Sequence, residues 1–373
     1  MAHVIPGICL AGPSALEYWR TVTKTPSQHE WVAESDAALR TPPSLALLGE
    51  LDDRWRSTLS APLDFVVAIR SARRVPTSLA RVHLCALAMP ESSIARISRG
   101  LYVVSPELAL LHLADTLERF QLALVGYELC GAYAPARRGT VGLVSRNRPL
   151  TSAEGIRTTM RLMPGARNRV RVLDALELVR DGAESPMESV SAMLLGTPRR
   201  QGGLGLPSFA LNHRIEFDDV ARDMAHRDHA RADLYWADAR VDVEYEGRAY
   251  HEGEVRMASD KARANALAHM GVTTISLFDE HIQSDALFCT MAHDIARAIG
   301  FRMKPLDAKD RERRLALRRA ILRHAEGTAE PQWPGLREGE PTLGEALEMH
   351  RANDGRRRRG KGASGSPKSP RGA

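Results

Sequence analysis

Asp233-Leu234-Tyr235-Trp236-Ala237-Asp238-Ala239-Arg240-Val241-Asp242-Val243-Glu244-Tyr245-Glu246, followed by Gly247, is the stretch on which the fold turns. From Val241 to Glu246 apolar and acidic residues alternate, the period-two pattern of a strand with two unlike faces. Val241, Val243 and Tyr245 are expected toward a core. Asp242, Glu244 and Glu246 then share the other face, with successive Cβ atoms roughly 6 to 7 Å apart. A tight turn at Asp238-Ala239 makes Asp233 the antiparallel partner of Glu244 and brings a further acid into the group. Like charges so close repel, so the face is either well solvated or balanced by a divalent cation or a basic partner.

The flanking sequence supplies the rest of a domain. Gly247 ends the strand and His251 lies five residues beyond Glu246. Residues 254–270 read as a helix with Gly271 past its C-terminus, 272–278 as a β-branched strand, and 280–299 as one helix ending at Gly300. Upstream, Ser185-Pro186-Met187-Glu188 carries an N-cap, proline at the first helical position and glutamate where a capping box places it. The order helix, strand, hairpin strand, helix, strand, helix predicts an α/β domain with a short mixed sheet flanked by helices.

Taken in order, these pieces resemble a family. Ser185, Pro186 and Glu188, then Asp233 and Trp236, then Glu244, Glu246, Gly247 and His251, then Asp260, Arg263, Asn265, Leu267 and Gly271 match a domain-of-unknown-function family related to very-short-patch-repair endonucleases, within the PD-(D/E)XK nuclease superfamily. The match spans about residues 168–300, and its specificity lies in the ordered set. The resemblance implies a restriction-endonuclease-like domain that hydrolyses phosphodiester bonds in DNA with Mg²⁺ or Mn²⁺. Carried over, Asp233 and Glu244 hold metal, with Glu188 in an outer position, and Asp233, Glu244, Glu246 and His251 form the catalytic set. Hard carboxylate oxygens suit Mg²⁺ or Mn²⁺ rather than Zn²⁺. The chain departs from the superfamily at Glu246, where the usual residue is lysine. A carboxylate there binds metal or acts as a base but cannot neutralise transition-state charge. His251, Lys261 or Arg263 would have to stand in.

Each residue also has a plainer role open to it. Glu188 can be only the reciprocal capping partner of Ser185. His251 can be a turn or surface histidine, and Asp260 and Arg263, three apart on a helix, can pair with each other. Trp236 reads as packing. Asp223, His226 and His229 have a metal-like rhythm but no cysteine and no second ligand pair, and read as an exposed loop.

At 373 residues the chain is long enough for two or three domains, and its hydrophobic share of 43% is ordinary. Neither a membrane-length apolar run nor a secretory leader is evident, and Cys9, Cys85, Cys130 and Cys289 form no CxxC pair, which together lead us to expect a cytoplasmic protein. The net charge is +6, but residues 355–373 carry seven basic residues and no acid, so the body of the chain is close to neutral. That tail is expected to be disordered and suited to phosphates. Lys309 to His324 reads as an arginine-rich helix that either lines a DNA path or is solvated and laced with ion pairs.

The N-terminal part reads as an α+β unit, with a helix from Gly12, strands at 63–68, 82–87 and 100–105, and a helix at 108–117. It resembles, more loosely, the N-terminal region of actinobacterial proteins akin to AbiEi-type antitoxins. The expected division is an N-terminal α+β recognition domain at 1–145, a helical linker at 146–184, the endonuclease-like domain at 185–303, a basic helix at 304–330 and a disordered basic tail at 331–373. Two functions follow from the resemblances: a metal-dependent DNA endonuclease acting in repair or defence, and a non-catalytic DNA-binding regulator of antitoxin type.

Overall fold

The computed structural model describes residues 7–23, 29–32, 39–69, 78–136, 142–247, 254–325, 328–331, 334, 337 and 339–362. The fold is mixed α/β, with sheets flanked by helices. Among the described residues no helix is long and apolar enough to cross a membrane. The chain divides into two compact units: residues 1–19, 29–109 and 335–373 form one, and 20–28 and 110–334 the other.

The first unit holds a six-stranded sheet ordered β2-β5-β6-β1-β3-β4. Its strands are β1 (Ile8–Leu10), β2 (Glu30–Trp31), β3 (Leu63–Val67), β4 (Ala80–Leu84), β5 (Ile94–Ser98) and β6 (Leu101–Val104). Sequence reading found β3, β4, β6 and the Gly12–Arg20 helix; it missed the short β1, β2 and β5. Asp64 is buried on β3 and satisfied by His83 Nε2 at 2.9 Å and by the Arg337 guanidinium, so a residue from the expected tail completes this unit. The segment expected to be a disordered tail includes a helix, Leu343–Gly362, whose Leu343, Ala346 and Leu347 are buried.

The second unit begins well before the expected boundary at 185. It takes in the helices Arg119–Leu129, Ala153–Leu162 and Arg169–Leu176, the last two being the expected linker, and the hairpin β7 (Tyr133–Pro135) and β8 (Leu143–Ser145). Its main sheet has the order β12-β11-β10-β9, from β9 (Ala210–Glu216), β10 (His229–Trp236), β11 (Val241–Glu246) and β12 (Thr273–Phe278). A smaller hairpin, β13 (Leu322–Ala325) and β14 (Thr328–Pro331), completes it. β9, β10 and β11 are antiparallel in turn, and β12 runs parallel to β11. A parallel neighbour needs a crossover, which the Glu254–His269 helix provides, ended by Gly271 at φ 72°.

Helices cover both faces of this sheet. Pro186–Gly196 is buried from Pro186 through Leu195 and packs against β10 and β11, as a helix apolar on nearly every side must. On the other face Asp219–Ala225 and Glu254–His269 supply Ala221, Ala225, Ala266 and Leu267 to a core with Ile215, Ala230, Ala232 and Tyr235. The segment expected to be an exposed loop is thus partly structured. Asp223 lies on the Asp219 helix, His226 ends it at φ 51°, and His229 opens β10. Asp218 caps that helix through the Ala221 N–H at 2.8 Å, a sequence signal that was present.

The expected single helix at 280–299 breaks at Ser284, which caps the second piece, leaving Asp279–Gln283 and Asp285–Ala298. The arginine-rich helix, Ala308–Ile321, has two sides: Lys309, Arg311, Arg313 and Arg319 are exposed, while the other side is packed into the fold. Arg314 and Arg318 are buried; Arg314 grips both oxygens of Asp285 at 2.7 and 2.9 Å, and Arg318 donates to the carbonyls of Ile282 and Gln283.

Candidate active site

The hairpin forms in the expected register. Leu234 faces Val243, Tyr235 faces Asp242 and Trp236 faces Val241, with residues 237–240 as the turn. Arg240 takes φ 51° there, and its guanidinium caps the Glu254 helix at the Met270 carbonyl, 2.8 Å away.

Below those three pairs the two strands part. β10 keeps its pairing with β9 down to His229↔Glu216, and β11 keeps its pairing with β12 out to Glu246↔Phe278. β10 and β11 themselves have no further paired residues. The sheet therefore forks, with Asp233 at the crotch. One Asp233 oxygen accepts the Tyr245 N–H at 2.9 Å, a side chain standing in where a ladder bond would have been.

A change of phase in β10 accompanies the fork. Ala230 and Ala232 point into the core under the Glu254 helix, and so does Tyr235, three residues on from Ala232. Strict alternation forbids that, so the strand switches faces between them. Asn212 on the neighbouring strand, facing this position, has φ 47°, a backbone region asparagine tolerates better than most residues. Its side-chain amide donates to the Gly182 carbonyl at 3.0 Å and to Glu188.

The opening is a cleft of about 980 Å³. His229 and Arg231 line it from β10, Glu244 and Glu246 from β11, and Asp260 and Arg263 from the helix. Arg263 spans the fork, donating to the Arg231 carbonyl at 3.0 Å on one arm and to Glu244 Oε2 on the other. The expected Asp260–Arg263 pair gives way to this contact, because β11 presents a buried carboxylate to the guanidinium.

The acid face is far less solvated than an alternating surface strand would be. Asp242 is 0% and Glu244 8% exposed, while Glu246 at the end of the strand is exposed. Both oxygens of Asp242 and Oε1 of Glu244 have no partner beyond each other's carboxyl. Among the described residues they are the buried carboxylate oxygens left in that condition. Buried polar atoms without partners are costly and uncommon, more so when they can carry charge.

The protonation behaviour follows from this crowding. Burial, with the charges of Glu188 and Glu244, pushes Asp233 up to about 7, against the opposing Tyr245 N–H and Arg263. Burial and the adjacent Glu244 carboxyl push Asp242 further up. Burial opposes the charge on Arg263, but Glu244, Asp242 and Asp233 outweigh it and hold its proton more firmly than usual.

Asp233 and Glu244, paired by the sequence, lie at one place, whereas Glu246, expected on the same acid face, stands exposed at its lip. Glu188 lies against the same strands, held by the Glu184 N–H at 2.8 Å and by Asn212. Its partner is the residue before Ser185, so the capping box is not the reciprocal one expected; the Ser185 half of it forms, at 3.2 Å to the Glu188 N–H. His251 lies outside the described residues. Trp236 packs as expected, its ring 4.6 Å from Phe209 and its Nε1 bonded to the Pro207 carbonyl at 3.0 Å. Asp242 was placed on the acid face but given no role; its position two residues before Glu244 was the signal. The chain matches no protein-family model, no curated protein and no solved structure.

Proposed function

We propose that the fork is the centre of a metal-dependent DNA endonuclease of the restriction-endonuclease-like kind, as the resemblance to very-short-patch-repair endonucleases implies. The observation that carries this reading is the set of buried carboxylate oxygens on Asp242 and Glu244 that have no partner beyond each other, with Glu244 in the wall of an open cleft. A cation would relieve all of them at once.

The donors fit Mg²⁺ or Mn²⁺, being hard oxygens. Among the described residues no three of His, Cys, Asp and Glu converge to share an ion. A pair of carboxylates completed by water is the arrangement on offer, and Mg²⁺ commonly keeps several waters in that way. Glu244, with Asp233 or Asp242, would hold it. When bound, such an ion acidifies water and stabilises charge on a phosphoryl oxygen.

The chain's own residues supply the remaining parts. Asp233, poised near neutrality and half-buried, is suited to take a proton from an attacking water. Arg263 replaces the missing lysine as the cation at the centre: its planar fork already engages a carboxylate and matches two phosphate oxygens equally well. Arg227, His229 and Arg231 form a basic side of the cleft against which a phosphate backbone can lie. Glu246 sits at the exposed lip and is the weakest member of the expected catalytic set.

The second reading, a DNA-binding regulator without chemistry, has one observation in its favour: Arg263 already neutralises Glu244. Nicking of supercoiled plasmid with Mg²⁺ or Mn²⁺ decides between them. We expect nicking by the parent chain and none by Glu244→Gln or Asp233→Asn. Salt-sensitive DNA binding by all three without nicking would select the regulator.

A further inference from the structure

We infer that Asp242, rather than Glu188, shares the cation with Glu244. This rests on the metal-dependent reading above and goes beyond it, because the resemblance gives Asp242 no role and assigns Glu188 to the metal's surroundings.

The two acids differ in what their oxygens already do. Glu188 begins a helix, a place where a carboxylate is favoured by the helix dipole, and its Oε2 accepts from the Glu184 N–H and the Asn212 amide. It is a satisfied structural group that ties the Pro186 helix to the distorted point of β9. Asp242 has none of this. It lies in the middle of a strand paired on both sides, with Tyr235 across on β10 and Thr274 across on β12, so the neighbouring backbone donors belong to the ladders. The carboxyl it meets is that of Glu244, two residues along the same face, and without a cation the two acids share a proton held on Asp242. Arg263 takes Oε2 of Glu244 and leaves Oε1, and it makes no bond to Asp242. Three oxygens on two residues of one strand face thus have nothing but each other's carboxyl to meet.

Hydrophobic residues of the same size would fill this space without penalty, and an asparagine would supply a donor. An aspartate whose oxygens meet only another carboxyl is what a cation seat requires. Asp242 is fully buried, and Glu244, which lines the cleft beside Arg263, is its connection to that cleft.

Mn²⁺ binding to the full chain without DNA, followed by electron paramagnetic resonance, tests this directly. Asp242→Asn and Glu244→Gln should each weaken Mn²⁺ binding by at least about tenfold, the lower bound seen even for residues one shell from a metal. Glu188→Gln should bind Mn²⁺ as the parent does. Melting curves with and without Mn²⁺ provide the second readout. In chelator Asp242→Asn should melt at or above the parent, having lost an unpaired buried acid, but Mn²⁺ should no longer raise its melting temperature. Asp242→Ser, read the same way, decides the matter if the asparagine variant fails to fold.

Parental Mn²⁺ affinity in Asp242→Asn overturns the inference, as does no Mn²⁺ binding by the parent, or a loss in Glu188→Gln equal to that in Glu244→Gln. Plasmid nicking run alongside separates the two proposals. Nicking that survives Asp242→Asn and dies in Glu244→Gln leaves the nuclease standing and removes Asp242. Mn²⁺ held through Asp242 and Glu244 by a chain that cuts no DNA does the reverse.

Discussion

Two buried ionic clusters sit in the same unit of this chain, and they are built on opposite terms. Around Glu128, Arg20 reaches both carboxylate oxygens at 2.9 and 2.7 Å, while Arg146 donates to the Glu128 and Tyr133 carbonyls at 2.9 and 2.6 Å. At the fork, Asp242 and Glu244 are about as buried but leave three oxygens with no partner beyond each other's carboxyl. In the first cluster both carboxylate oxygens are held by arginine, although Arg20 Nη1 has no partner; in the second the carboxylate oxygens themselves are left over. Charge that is buried and satisfied is structural, whereas charge that is buried and unsatisfied points to a ligand.

The largest effect should come from the satisfied cluster. Glu128→Gln leaves Arg20 and Arg146 as uncompensated buried cations and should lower stability by about 3–5 kcal/mol, measured by denaturant unfolding. A loss below about 1 kcal/mol, the level of a surface pair, would remove the contrast between the clusters.

Next in size is the pH dependence of the fork. Burial, with the charges of Glu188 and Glu244, raises Asp233 from 3.8 to about 7 against the Tyr245 N–H and Arg263. Between those values the folded chain keeps a proton that the unfolded chain has released, so stability falls as pH rises through the window. Asp242, also raised, acts with the same sign. In chelator the melting temperature should be higher at pH 5 than at pH 8, and Asp233→Asn should reduce the difference. A melting temperature that climbs over this range would show that the acids are not protonated in the fold.

Arg263→Met should cost about 1–3 kcal/mol by stripping Glu244 of its donor, and should slow nicking by about 100-fold if the guanidinium serves the reacting phosphate. Equal nicking by Arg263→Met and the parent would confine Arg263 to holding the fork closed. The smallest effect belongs to Trp236→Phe, which loses one bond to the Pro207 carbonyl, about 1 kcal/mol, and should nick at the parental rate.

Much of the fork was legible in the sequence, though not its burial. Alternation from Val241 to Glu246 fixed the acid face, and the position of Asp238-Ala239 gave the register that β10 and β11 adopt. β9 carried a readable pattern too, with Leu211, His213 and Ile215 alternating with Asn212, Arg214 and Glu216, and it was overlooked. The splitting of the strands could not be read, because it coincides with an Asn212 at φ 47° in the register position opposite Asp233, and those residues lie 21 apart in the chain. Nor could the partner of Arg263: spacing along a helix favours Asp260, but the roof that this helix makes over β11 turns the guanidinium to Glu244. Asp242 looked like one of three exposed acids because a strand pattern says which face a residue shares, not what covers that face.

The most direct measurement is plasmid nicking by Glu244→Gln and Glu128→Gln side by side, in Mn²⁺ and at a temperature where both are folded. Glu244→Gln should stay folded and hold DNA with nicking abolished, and Glu128→Gln should nick at the parental rate per folded molecule despite its lower stability. Parental nicking by Glu244→Gln would contradict the account, because the unsatisfied carboxylates would then have no part in the chemistry.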